Sequence, residues 1–114
     1  MKKYISGIGI DIEETKRFKR KKENKGFLKI VFSERELNYC MKKKDYHLSL
    51  AGKFCAKEAV IKSLNKPCLM KDIEIINLKS GKIEVYINKR KKRNIYCSIS
   101  HTKDFAIAFA ILTD

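Results

Sequence analysis

Two carboxylates and a lysine in this sequence stand where an isolated charge is costly. Asp11 follows Gly7-Ile8-Gly9-Ile10, so on a strand it shares a face with two glycines. Glu58 lies inside Leu50-Ala51-Gly52-Lys53-Phe54-Cys55-Ala56-Lys57-Glu58-Ala59-Val60-Ile61-Lys62. On a helix, Ala51, Phe54, Cys55 and Ile61 fall within about 60° of Glu58. Its carboxylate is thus set in an apolar stripe and needs a partner, because an unpaired buried charge is very costly. Lys62, one turn further on, is one candidate, as an i,i+4 pair. A metal ion is the other. One carboxylate from a strand and one from a helix suit Mg²⁺, which takes one or two carboxylates, keeps several waters and adds oxygens from substrate phosphates. Lys53, Lys57 and Lys62 are the neighbouring cations for such phosphates. Asp11 also reads as a strand-end acid capping the next helix. Ser98-Ile99-Ser100-His101-Thr102 brings hydroxyls and an imidazole that hydrogen-bond phosphate, and it also reads as an ordinary polar turn.

The elements that must position these groups are set by periodicity. Tyr4 to Ile12 alternates isoleucine with glycine and acid, the period of a strand. Glycines on one face of it let another backbone approach closely. Glu13 to Lys25 is charged and predicted helical at least in part, with Gly26 as its break and Phe27 to Phe32 as a short apolar segment. Ser33 with Glu36 three residues later makes a capping box for a helix running to about Lys43. His47 to Leu64 carries the longest helical pattern, and Pro67 bars any helix beyond it. Ile73 to Leu78 and Ile83 to Ile87 read as strands joined by a Lys79-Ser80-Gly81-Lys82 turn. Lys89 to Arg93 reads as a basic loop, Ile95 to Ser100 as a strand and His101 to Asp104 as a turn. Phe105 to Leu112 is a nearly continuous apolar run, expected for a strand covered on both faces. The fold class is α+β, a mostly antiparallel sheet packed on one long helix with shorter helices, in a single domain over 1–114.

Composition narrows the partners. The formal charge is +14, from 27 basic and 13 acidic residues, a field that draws polyanions. Much of it is lysine, the usual solvated surface residue. No apolar run reaches the length of about 18 residues that spans a membrane. The start, Met1-Lys2-Lys3 and then two glycines and an aspartate, lacks the apolar segment of a signal peptide, so a cytoplasmic location is expected. Cys40, Cys55, Cys68 and Cys97 form no closely spaced pair, which argues for free, mostly buried thiols rather than a zinc site.

Three segments taken in order resemble the holo-acyl-carrier-protein synthase family of phosphopantetheinyl transferases: Gly7-Ile8-Gly9-Ile10-Asp11-Ile12, Leu50 to Lys62, and Ser98-Ile99-Ser100-His101-Thr102. The likeness runs nearly end to end. It implies transfer of 4′-phosphopantetheine from coenzyme A to a serine of an acyl carrier protein. It further implies Mg²⁺ on Asp11 and Glu58, and Glu58 and Lys62 as the catalytic pair. Lys53, Lys57, Lys62, Ser100 and His101 would bind CoA, the last two near its nucleotide end. Arg17 and Arg20 would dock the acidic carrier, and homotrimers would hold CoA between subunits. The family usually has arginine where Lys53 stands, alanine where Cys55 stands, and a glycine-rich loop where Asn65-Lys66-Pro67-Cys68 stands. The competing reading is a nucleic-acid-binding domain that uses Lys19 to Lys22 and Lys89 to Arg93 on phosphates. No helix-turn-helix, zinc finger or aromatic stacking motif accompanies it.

Overall fold

A computed structural model describes residues 4–114; Met1-Lys2-Lys3 and the side chain of Lys22 lie outside the described residues. Two antiparallel three-stranded sheets and three helices make up the fold. The first sheet has β1 (Ile5–Glu14) beside β6 (Phe105–Thr113), and β6 beside β5 (Ile95–His101). The second has the order β2 (Ile73–Asn77), β3 (Ile83–Ile87), β4 (Arg90–Lys91). The helices are α1 (Lys25–Val31), α2 (Glu34–Met41) and α3 (Tyr46–Ser63).

Small residues decide where α3 lies. The inner face of the first sheet is Gly7, Gly9, Ala106, Ala108 and Ala110, and α3 meets it with Gly52, Ala56 and Ala59, five of these eight being alanines buried in the core. A Cβ on Gly7 would stand 1.9 Å from the Ser63 carbonyl oxygen, and one on Gly9 1.9 Å from that of Ala59. The glycine face of β1 is therefore the buried one, and the helix backbone is what approaches it.

The large apolar residues of this sheet point the other way. Ile8, Ile10 and Ile12 are 60%, 54% and 60% exposed, and they adjoin the exposed Phe105, Ile107 and Phe109 of β6 and Tyr96 of β5. The run Phe105 to Leu112 is thus covered on one face within the chain, not on both. Alternating alanine and large residues are both apolar, so hydropathy alone hides the period of two.

The predicted helix from Glu13 is replaced by a longer strand. β1 runs through Glu14, and Thr15 then ties the chain to the β5–β6 turn, its N–H donating to Asp104 O at 2.9 Å and its hydroxyl to Lys103 O at 2.6 Å. Two 3₁₀ turns come next, Thr15–Phe18 and Lys21–Glu23. Phe18, fully buried against Phe54 at 5.4 Å between ring centroids, holds them down. Asn24 caps α1, its side chain accepting from Phe27 N at 3.1 Å. Gly26 therefore lies within a helix, and most of Phe27 to Phe32 is helical. The Lys89 to Arg93 segment is a hairpin rather than a loop. Asn88 and Lys89 take φ of 51° and 67°, the pair of left-handed residues that closes a tight hairpin, and Arg90 and Lys91 pair back onto β3.

The capping box of α2 is formed: Ser33 N donates to Glu36 Oε1 at 2.9 Å, and Glu36 N to Ser33 Oγ at 3.3 Å. Glu36 has a second task. Its carboxylate accepts from Ile75 N at 2.8 Å and pairs with Lys57 Nζ at 2.5 Å, with both side chains fully buried. Lys57 also donates to Val31 O at 2.6 Å and Met70 O at 3.1 Å. One ion pair therefore ties α2, α3 and β2 together. Removing one partner strands the other charge, at about 3–5 kcal/mol for buried pairs. Lys57→Met is expected to lose that much stability in urea unfolding, and Lys57→Met with Glu36→Gln to regain a large part of it. A single variant as stable as the parent would contradict the pair.

The four cysteines are free, with Cys40 and Cys55 buried. Burial pushes the Cys40 thiol up to about 12 and that of Cys97 up to about 11, so both stay protonated and act as small apolar groups.

Candidate active site

The close approach of α3 to β1 builds the site. Lys62, on the helix turn over Gly9, extends along β1 and donates to Ile10 O at 2.9 Å and to Asp11 Oδ1 at 3.4 Å. Of the two partners open to Glu58, the Lys62 pair is not made. Among the described residues Glu58 has no ion pair or hydrogen bond, although it is half-buried. The other oxygen of Asp11, Oδ2, is buried and has no hydrogen-bond partner.

Sequence reading missed a third carboxylate here. Glu13 stands two residues after Asp11 on β1, so it shares that inner face. Its pKa is pushed up to about 7. Burial is the largest cause, followed by the close approach and like charge of the Asp11 carboxylate; Arg17 opposes the rise and Glu58 adds to it. Arg17 forms an ion pair with Glu13, one helical turn's spacing away, and its guanidinium lies 5.5 Å from the ring centroids of both Phe18 and Phe54. The spacing Asp11-x-Glu13 carried the signal, but strand and helix were divided at Ile12.

The other expected residues are dispersed. Lys53 and Lys57 are inside the protein. Lys53 is 2% exposed, and its Nζ donates to Ile75 O at 2.5 Å and Asn77 Oδ1 at 2.6 Å. Burial lowers the pKa of both lysines, with Glu36 opposing the fall. Each ammonium is taken up by the protein's own oxygens and does not face solvent. Arg20 is exposed at the second 3₁₀ turn. Ser100 pairs across β6 with Ile107 and then Ile12, so it lies on the outer, isoleucine face of the sheet. His101 shares a row with Ala106 and Glu13 on the opposite face, two strand spacings from Glu13, roughly 10 Å.

The group that the carboxylates could hold is a hard divalent cation. Asp11, Glu13 and Glu58 face two cations, Lys62 and Arg17, and Asp11 keeps a buried oxygen that none of them satisfies. Among the described residues no three Asp, Glu, His or Cys side chains close on one point. A cation here would have one or two protein ligands and complete its shell with water or substrate oxygens, the habit of Mg²⁺. The donor set fits that ion.

Other clefts lie away from this site, one of about 720 Å³ between β5 and the second sheet, lined by Lys82, Lys91, Lys92 and Arg93 among others. Another, of about 1150 Å³, is walled by the Leu64 to Leu69 loop and the β3–β4 hairpin.

Comparison with known proteins places this arrangement. Residues 7–110 match the 4′-phosphopantetheinyl transferase superfamily. A holo-[acyl-carrier-protein] synthase of Clostridium tetani is 43% identical, with 95% of each chain covered. One of Thermodesulfovibrio yellowstonii is 41% identical over 96% of this chain and 99% of its own. Among solved structures, the synthase of Bacillus anthracis in complex with CoA (3′,5′-ADP) superposes with a TM-score of 0.80 at 32% identity, covering 96% of this chain and 97% of that one. The synthase of Plasmodium yoelii gives 0.81 at 33% identity, with 99% and 98% covered. Agreement in sequence and in backbone over nearly the whole length makes this chain a member of the 4′-phosphopantetheinyl transferase superfamily, among its small holo-acyl-carrier-protein synthases.

Proposed function

We propose that this chain, as a single domain over 1–114, transfers 4′-phosphopantetheine from coenzyme A to a serine of an apo acyl carrier protein and releases adenosine 3′,5′-bisphosphate. The observation that carries the reading is the unsatisfied Asp11 Oδ2 beside the unpaired Glu58, with Lys62 alongside. Relatives with this name at more than 40% identity support the substrate pair, and the CoA complexes of similar structures support the donor.

Asp11 and Glu58 are the residues that would hold Mg²⁺, which when bound neutralises charge on the pyrophosphate and on the leaving bisphosphate. Lys62 holds its ammonium at the β1 edge through Ile10 O and presents a second positive charge where the phosphates would lie. Glu58, without a hydrogen bond or ion pair among the described residues, is placed to orient a water or the serine hydroxyl. Ser100 and His101 would meet the nucleotide end of CoA. Lys53 and Lys57 act by holding α3 rather than by touching phosphate, since both ammonium groups are already bonded inside.

The outer face of the first sheet supports a homotrimer. Its isoleucines and phenylalanines form a contiguous exposed apolar surface of a kind that monomers rarely leave open. Ser100 lies on that face and Asp11 on the other, so one chain cannot bring the two together, whereas CoA lying between neighbouring subunits can meet both. Ile10→Asp is expected to give a monomer in analytical ultracentrifugation and to lose most transfer activity; an unchanged sedimentation coefficient would count against this face as the interface. The reaction and a cytoplasmic location are consistent with the described helices, none of which is long and apolar enough to cross a membrane.

The decisive experiment is intact-mass measurement of an apo acyl carrier protein incubated with this protein, CoA and Mg²⁺, with an EDTA control. The expected result is a gain of one phosphopantetheine that EDTA prevents. No gain with several carriers would overturn the reading, and a gain that persists in EDTA would overturn its metal dependence.

A further inference from the structure

Lys57 makes more bonds than its ion pair needs. Besides Glu36, its ammonium donates to Val31 O at 2.6 Å and to Met70 O at 3.1 Å, from a side chain wholly inside the protein. Met70 opens the 3₁₀ turn Met70–Asp72, and the loop that leaves α3 at Leu64 ends there. That loop has few other ties. Leu64 N donates to Ile61 O at one end, and Asp72 O accepts from Asn88 N at the other. Between them, Asp72 N donates to Leu69 O and Ile73 N to Met70 O, and both bonds are local. Among the described residues, only the Lys57–Met70 hydrogen bond joins 65–70 to an element distant in sequence. Asn65, Lys66, Pro67 and Leu69 are exposed, so burial fixes little of the loop's course.

We propose that Lys57 is a positioning residue for CoA, which sets its affinity by fixing one wall of the cleft through Met70 O without touching the ligand. The proposal rests on the reading of CoA as the donor, with its pyrophosphate at Asp11 and Lys62. The 64–69 loop walls the cleft of about 1150 Å³, and Lys66, Arg90 and Lys92 are cations lining it. Leu112 lines it as well and pairs with Gly7, on the same face of β1 as Asp11 and four residues back, roughly 13 Å. A ligand as long as CoA, held at Lys62 by its pyrophosphate, reaches this cleft, where a further phosphate meets those cations. With Met70 O held, the wall stands in place before CoA arrives, and binding need not order it. Without that bond the ligand must order the loop, and affinity falls. The bond to Val31 O, the last carbonyl of α1, matters less for the carrier side, because buried Leu28, Val31 and Phe32 already anchor that helix.

Steady-state kinetics, with CoA and apo acyl carrier protein varied in turn, test this on two variants that separate the bond from the charge. Lys57→Met with Glu36→Gln strands no charge, and a thermal melt checks that it folds. Its KM for CoA is expected to rise about three- to tenfold, the range that one net hydrogen bond supplies. Its kcat and its KM for the carrier should stay within about twofold of the parent, because lost ground-state binding leaves the chemical step alone. Glu36→Gln by itself removes the ion pair but keeps the Lys57 donors, so its KM for CoA should also stay within about twofold. This single variant tests the role even where the double variant does not fold. A parental KM for CoA in the double variant, an equal rise in its KM for the carrier, or a rise of about threefold or more in Glu36→Gln alone would each overturn the positioning role while the CoA reading stands. If the parent transfers nothing from CoA, that reading is overturned and the positioning role with it.

Discussion

Glu58→Gln is expected to lose transfer activity by roughly a thousandfold or more while melting no lower than the parent. A metal-binding carboxylate supplies several kcal/mol of transition-state stabilisation, and each 1.4 kcal/mol is a factor of ten in rate. The stability half of the expectation comes from the structure. Glu58 has no hydrogen bond or ion pair among the described residues and raises the pKa of Glu13 by repulsion. Removing its charge breaks no contact and relieves a like-charge interaction, so the melting temperature should hold or rise. Single-turnover transfer measured beside differential scanning calorimetry checks both halves. Turnover near that of the parent would sink the assignment of Glu58, and a large drop in melting temperature would mean that it serves the fold instead.

Gly9→Ala is expected to be severely damaging for a single added methyl. The added Cβ would sit 1.9 Å from the Ala59 carbonyl oxygen and 2.9 Å from both the Ala59 carbonyl carbon and Lys62 Cβ. Two of these three neighbours are helix backbone, so α3 must move away from β1. Overpacking costs typically 1–3 kcal/mol and occasionally more, and a backbone clash this deep belongs at or above the upper end. At about 4 °C or more per kcal/mol for a domain of this size, the melting temperature should fall by roughly 12 °C. Activity should fall further than stability, because the same displacement takes Glu58 and Lys62 away from Asp11. Gly26→Ala is the control. The nearest atom to its added Cβ is Asn24 Oδ1 at 3.7 Å, and the position is helical, so alanine should be neutral or stabilising by up to about 1 kcal/mol. Equal melting temperatures for the two variants would refute the packing argument.

Much of this was legible from residues alone because local rules were at work. The capping box at Ser33 and Glu36, the long helix, the Gly81 hairpin and the strand alternation of β1 depend on neighbours within a few positions, and each stands where spacing put it. The candidate site residues Asp11, Glu58 and Lys62 were also visible, as charges placed among apolar or glycine positions. Other features depended on which surfaces meet. Both alternating sets of β6 are apolar, so only the packing of α3 could show that the alanines face inward and the phenylalanines outward. Lys53 and Lys57 look like any surface lysines in sequence, and only the arrival of α2 and β2 over α3 buries them on Glu36, Ile75 and Asn77. The choice of Asp11 over Glu58 as the partner of Lys62 was tertiary as well: Lys62 is one turn from Glu58 along the helix, but the missing side chain at Gly9 lets it reach across to β1. Spacing along one element fixes which side chains share a face; which face is covered, and by which charge, is set by elements distant in sequence.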